Sequence, residues 1–241
     1  MTNFKKKLST LAICIATFAA ANANAVDVAT LSVKGSFEPA ACTPTFNNSG
    51  VVDYGTMNST MISVIAPEAN SLIQLGNKNI TLTVKCDAAT TLAVVAQDNR
   101  SSSKVALSET SFIDNYIGSN DLTYAGAAFG LGTVEGGGNI GSYALSVLPT
   151  GATADGNAAD LIVKDTDVAN SSWVSAKNGA PLFPDGSRIA TLAKTGELTP
   201  VTFTEMVLPM GISAAVQTKS AMGNPSEVKL DGNATLSLVY L

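Results

Sequence analysis

Histidine is absent from this 241-residue chain, which removes the commonest general base at neutral pH and the commonest metal ligand. Cysteine occurs three times, at Cys14, Cys42 and Cys86. These are too few and too scattered for a zinc site or a C-x-x-C redox pair. Tryptophan occurs once, and charged residues make up 14% of the sequence. The carboxylates left for chemistry, Asp155 with Asp160 and Asp165 with Asp167, lack the oxygen-ligand spacing of a calcium loop and fit solvated turns. Nothing in this inventory predicts a catalytic residue, a metal site or a cofactor.

The chain opens on "MTNFKKKLSTLAICIATFAAANANA", three lysines followed by an apolar run from Leu8 to Ala20 and an A-x-A site at Ala23, Asn24 and Ala25. This layout predicts a secretory signal at residues 1–25, cleaved between Ala25 and Val26. The run is well short of the roughly 20 residues needed to span a bilayer, and Cys14 lies within it. No later stretch is apolar enough to cross a membrane. Without Lys5, Lys6 and Lys7, 11 basic residues face 19 acidic ones, a net charge of −8 on 216 residues. Such a balance argues against nucleic acid or anionic lipid as a partner. The expected location is the periplasm, with display at the cell surface as its extension.

Two cysteines then remain, and an exported chain with one such pair joins them, so a Cys42–Cys86 disulfide is expected. "ATLSVKGSF" places Leu31, Val33 and Phe37 on one face, with Cys42 at the end of that stretch. "NITLTVKC" places Ile80, Leu82, Val84 and Cys86 on one face. The bridge should therefore tie two early strands together. Further alternating stretches follow at "TLAVVAQ", "IGSYALSVL", "DLIVK", "RIATLA", "PVTFTEMVLP" and "ISAAVQTK", separated by Gly, Asn, Asp, Ser and Pro. Many short strands without a convincing amphipathic helix predict an all-β sandwich or barrel. Residues 98–190 are the richest in turn signals, so the expectation is a single domain over 26–241 with a loop-rich insertion around 98–190.

Three motifs imitate chemistry. "FGLGTVEGGGNIG" misses the spacing of a dinucleotide-binding loop, and a strand follows where a helix should open, so it is read as a glycine-rich turn. "SSSK" (101–104) with "KTG" (194–196) imitates a penicillin-recognising serine enzyme, but no S-x-N lies between them and the serines sit in a polar loop. Trp173, Tyr124 and Tyr143 could stack on a sugar; with no supporting feature they are read as packing residues.

The chain ends on "GNATLSLVYL", where Ala234, Leu236, Leu238 and Tyr240 share one face of an expected strand that runs flush with the last residue, with Thr235, Ser237, Val239 and Leu241 on the other. "VKGSFEPAACTPTF", "GVVDYG" (50–55), "TLTVKC", "AFGLG" with "NIGSY", and the terminal "LDGNATLSLVYL" resemble the GltF-like family of fimbrial-like periplasmic proteins. "LIQLGNKN" (72–79) adds to that resemblance. Gly35 before Cys42, Cys86 at a strand end and the penultimate Tyr240 are similar, more distantly, to subunits of pili assembled by a chaperone and an usher. Gly55, Leu236 and Leu238 are the other positions the resemblance singles out as structural.

The resemblance implies an immunoglobulin-like, pilin-like β-sandwich with additional strands and loops in the middle of the chain. It further implies a last strand that borders an open apolar groove, filled by strand addition from a periplasmic chaperone, an usher or a neighbouring subunit. One feature points the other way. If Leu31–Phe37 is the first strand, only Val26 to Thr30 precede it, about 17 Å of extended chain and short for a donor strand. The extra strands would then close the sandwich internally and the terminal strand would be core. The expected function is that of an exported, non-enzymatic, fimbrial-like structural or adhesion-related subunit acting through protein contacts. The alternative that the resemblance carries is a self-contained periplasmic protein with a sensing or regulatory role in glutamate synthesis or nitrogen response.

Overall fold

A computed structural model describes residues 32–34, 41–63 and 70–241. The leader, the Ala25–Val26 junction and Gly35 lie outside the described residues. In chain order the strands are β1 (Cys42–Phe46), β2 (Ile73–Thr90), β3 (Leu92–Asp98), β4 (Ile113–Ile117), β5 (Asn120–Leu122), β6 (Ala128–Gly130), β7 (Gly141–Val147) and β8 (Thr153–Ala154). They continue with β9 (Asn157–Ala158), β10 (Asp160–Asp165), β11 (Val174–Ser175), β12 (Ala180–Pro181), β13 (Arg188–Ala193), β14 (Phe203–Val216) and β15 (Ala234–Tyr240). Helical structure among the described residues is confined to three short 3-10 turns.

The strands form two main antiparallel sheets. The first runs β1-β2-β14-β7-β12, with β6 added on β7 and the small β8–β9 pair on β14; the second runs β11-β10-β13-β3-β15. The alternating apolar residues predicted from the sequence meet between them. Ile80, Leu82 and Val84 of β2 and Met206, Leu208 and Met210 of β14 share one core with Leu92 and Val94 of β3, Leu161 of β10 and Leu192 of β13. The chain is therefore an all-β sandwich, held by apolar burial between facing sheets.

The outer face of the first sheet is covered as well. Hairpin β4–β5 brings Ile113 and Leu122 onto Ala144 and Ala215. All seven residues of β7 are consequently buried, so β7 lacks the alternation of a strand with one wet face. The region expected to be a loop-rich insertion thus supplies β7 to the first sheet and β10 and β13 to the second.

The first strand differs from expectation. Ser32–Lys34 lie outside any strand and Val33 is 88% exposed, while Leu31 and residues 35–40 are not among the described ones. Cys42 opens β1 rather than closing a strand, and Cys86 lies inside β2. The two cysteines face each other across the β1–β2 ladder and are disulfide-bonded. The bridge does tie two early strands, at the outer edge of the first sheet.

Candidate functional site

The last strand carries its alternation as predicted: Ala234, Leu236 and Leu238 are half-buried, while Thr235, Ser237 and Val239 are exposed. Tyr240, expected on the inward face, is 46% exposed because it lies at the far end of the strand. None of the seven residues is fully buried. β15 pairs with β3 from Ala234↔Asp98 to Tyr240↔Leu92 and stands last in its sheet. Among the described residues no strand pairs with its other edge, which leaves a row of backbone donors and acceptors facing outward.

A groove of about 850 Å³ lies beside that edge. Its floor is the end of the first sheet, built from Leu75 and Ile80 of β2, Tyr143 and Leu145 of β7, and Ile212 and Ala214 of β14. One wall is β15, through Ala234 and Leu236, with Val228 and Leu230 from the preceding stretch. The opposite wall is a strap, residues 51–62, which presents Val52, Tyr54, Met57 and Ile62. Gly55, at φ +72, turns this strap, and its amide donates to Asp53 Oδ1 at 2.6 Å. The groove is mostly apolar and bounded on one side by β15, whose outer edge has no partner among the described residues. It suits an extended chain with apolar side chains on one face, supplying backbone bonds to β15 and side chains to the floor.

The other residues marked in the sequence have structural work. Ser103 Oγ donates to Arg100 O and accepts from Gly132 N, both near 2.8–2.9 Å, so the serine run forms a turn. Gly132, Gly136 and Gly137 have positive φ within the connection that leads into β7, as a glycine-rich turn requires. Asp155 accepts from Thr204 N, Thr204 Oγ1 and Glu205 N. These bonds, led by the Thr204 hydroxyl, hold its carboxyl below the usual range. The Arg188 guanidinium grips Asp165 through Nε at 2.6 Å and Nη2 at 2.8 Å, and that hydrogen bonding lowers the Asp165 pKa. Among the described residues, no three carboxylates or cysteines converge as a metal centre.

Of the three aromatic candidates, Tyr143 is buried and stacked on Phe129 at 5.2 Å between centroids, and Trp173 is half-buried. Tyr124 departs from the packing assignment. It is 63% exposed, with its ring edge-on to Phe183 at 6.2 Å.

Sequence reasoning missed Asp98. Its carboxylate is buried at the end of β3 and accepts from Arg100 N at 2.8 Å and Gly130 N at 2.9 Å, joining the second sheet to β6 of the first. The signal was present in "QDNR", where an aspartate closing an apolar strand is placed to cap the following turn.

These features define an all-β sandwich protein whose terminal strand has, among the described residues, one edge without a partner, and a groove beside it. The family described as "Protein of unknown function (DUF1120)" matches residues 31–144. Protein GltF of Escherichia coli K12 is 37% identical over 254 aligned positions, covering 99% of both chains. A second Escherichia coli K12 relative, Uncharacterized protein YhcF, is 31% identical, covering 96% of this chain and 98% of its own. The chain belongs to this GltF-like family.

Proposed function

We propose that the protein is an exported, non-enzymatic, pilin-type subunit that acts by accepting an extended strand from a partner along the free edge of β15. The observation that carries this reading is the pairing of an unpartnered strand edge with half-buried Ala234, Leu236 and Leu238 over an apolar floor. A strand laid there would satisfy outward backbone groups and bury apolar side chains together. The partner is a periplasmic chaperone, an usher or a neighbouring subunit. The first described strand opens at Cys42, which supports the reading: with cleavage after Ala25, sixteen residues, 26–41, precede it. At roughly 3.3 Å per residue they reach about 50 Å, ample for a donor segment in a neighbouring copy.

The test is to purify the mature chain from the periplasm without a chaperone. The reading expects aggregates or strand-exchanged multimers, and a synthetic peptide of residues 27–38 is expected to return the chain to a soluble one-to-one complex. A monodisperse, heat-stable monomer that ignores the peptide would contradict it.

A further inference from the structure

Two sequence motifs, "GVVDYG" at 50–55 and "LIQLGNKN" at 72–79, meet at one contact. Along the β2–β14 ladder Ala214 faces Gly76 and Ala215 faces Gln74, so Leu75 has no opposite residue. Gly76 sits at φ +83, the left-handed conformation by which a glycine bulge bends a strand. Tyr54 Oη lies 3.2 Å from the Gly76 carbonyl oxygen and 3.0 Å from that of Ile212 on β14, and donates its one proton to this pair. Lys78 Nζ stands 5.8 Å from the centre of the Tyr54 ring, a cation over an aromatic face. Burial raises the phenol pKa above its ordinary value, so the hydroxyl remains a donor through neutral pH.

Beyond the packing of Val52, Tyr54 and Ile62 on the core, the strap that carries Tyr54 has few ties. Residues 51–58 have no regular secondary structure. Bonds such as Gly55 N to Asp53 Oδ1 and Met61 N to Asn58 O, at 2.6 and 2.9 Å, are internal to the strap. Among the described residues its hydrogen-bonded ties to the sheet side are the Tyr54 hydroxyl and Lys219 N donating to Ile62 O at 2.6 Å. The strap is also the groove wall opposite β15.

We propose that Tyr54 is a positioning residue: anchored on the carbonyls of Gly76 at the bulge and of Ile212 on β14, it fixes the strap's separation from β15 and so sets the width of the groove. The geometry stands by itself, whereas the consequence for strand uptake rests on the strand-accepting reading above.

The experiment places spin labels through Ser59→Cys on the strap and Ser237→Cys on β15, both at exposed positions, and compares Tyr54 with Tyr54→Phe. The distance distribution is expected to be narrow in the parent and broad in the variant. Amide exchange at Met61 and Ser63 should quicken roughly fivefold, as loss of one hydrogen bond implies, with the thermal midpoint lowered only slightly. Uptake of the 27–38 peptide should weaken by a similar factor. Gly76→Ala, which strains the bulge, should broaden the distribution in the same way. An unchanged distribution and unchanged exchange in Tyr54→Phe would overturn the proposal. A parent that never takes up the peptide, yet whose strap loosens in Tyr54→Phe, would sink the strand-accepting reading and leave the positioning role standing.

Discussion

β14 and β15 are both apolar alternating strands, and their neighbourhoods could hardly differ more. β14 is paired along its length to β2 on one side and over its C-terminal half to β7 on the other. Its inner face meets the core and part of its outer face meets the β4–β5 hairpin. Among the described residues β15 has one neighbouring strand, and it has one half-buried face and one exposed face. Alternation therefore reports which side chains point inward, but not how many strands lie alongside or whether anything covers the inward face.

The largest effect should come from the closed part of the molecule. Replacing both Cys42 and Cys86 by serine leaves β1 on β2 by its ladder alone and releases the unfolded chain, and the chain-entropy model for a bridge across 44 residues puts the loss at about 4 kcal/mol. Urea denaturation of the two forms measures it. Leu208→Ala in β14, where the side chain is fully buried, should cost about 3 kcal/mol. The matching change in β15, Leu236→Ala, should cost about 1 kcal/mol or less in the isolated chain, because half of that side chain is already wet. Equal losses at 208 and 236 would erase the contrast between the strands.

The smallest effect concerns the rim of the second sheet. The Asp165 pKa is lowered by Arg188, so the pair stabilises the fold above the carboxylate's unfolded pKa, and this is lost as pH falls through the lower folded value. The two groups are partly exposed, and screening leaves about 0.5 kcal/mol. Asp165→Asn should therefore be less stable than the parent at neutral pH and converge with it in acid. A gap that persists in acid would mean the bridge is not what the substitution removes.

Much of the sandwich was legible in the residues. The alternation at 80–84, 92–96, 161–163 and 189–193 marks strands that the structure places in the two sheets, and the cysteine pair marked its own bridge. β7 was legible as a strand in "IGSYALSVL", but its cover was not: Ser142, Ala144 and Ser146 alternate with Tyr143, Leu145 and Val147 as a wet face would, yet all seven residues are buried. The boundary at Cys42 was misread: Leu31, Val33 and Phe37 alternate like a strand, yet Ser32–Lys34 lie outside any strand and β1 opens at Cys42, and alternation does not by itself mark where a strand begins. Gly55 and Leu236 could be picked out singly. Their convergence on one groove could not, since strap and strand are separated by nearly the whole chain and meet only once β2 and β14 have paired. Tyr54 belongs to the same class: nothing local in "GVVDYG" reveals that its hydroxyl reaches a bulge in β2.

The most direct test of the central claim is amide hydrogen exchange along β15 in the mature chain, with and without an excess of the peptide carrying residues 27–38. The account predicts that alternate amides of Ala234–Tyr240 exchange freely in the monomeric fraction isolated at high dilution, before strand exchange, and become protected with the peptide, while β14 is unchanged. Full protection of every β15 amide before any peptide is added, or no change after it, would contradict the account.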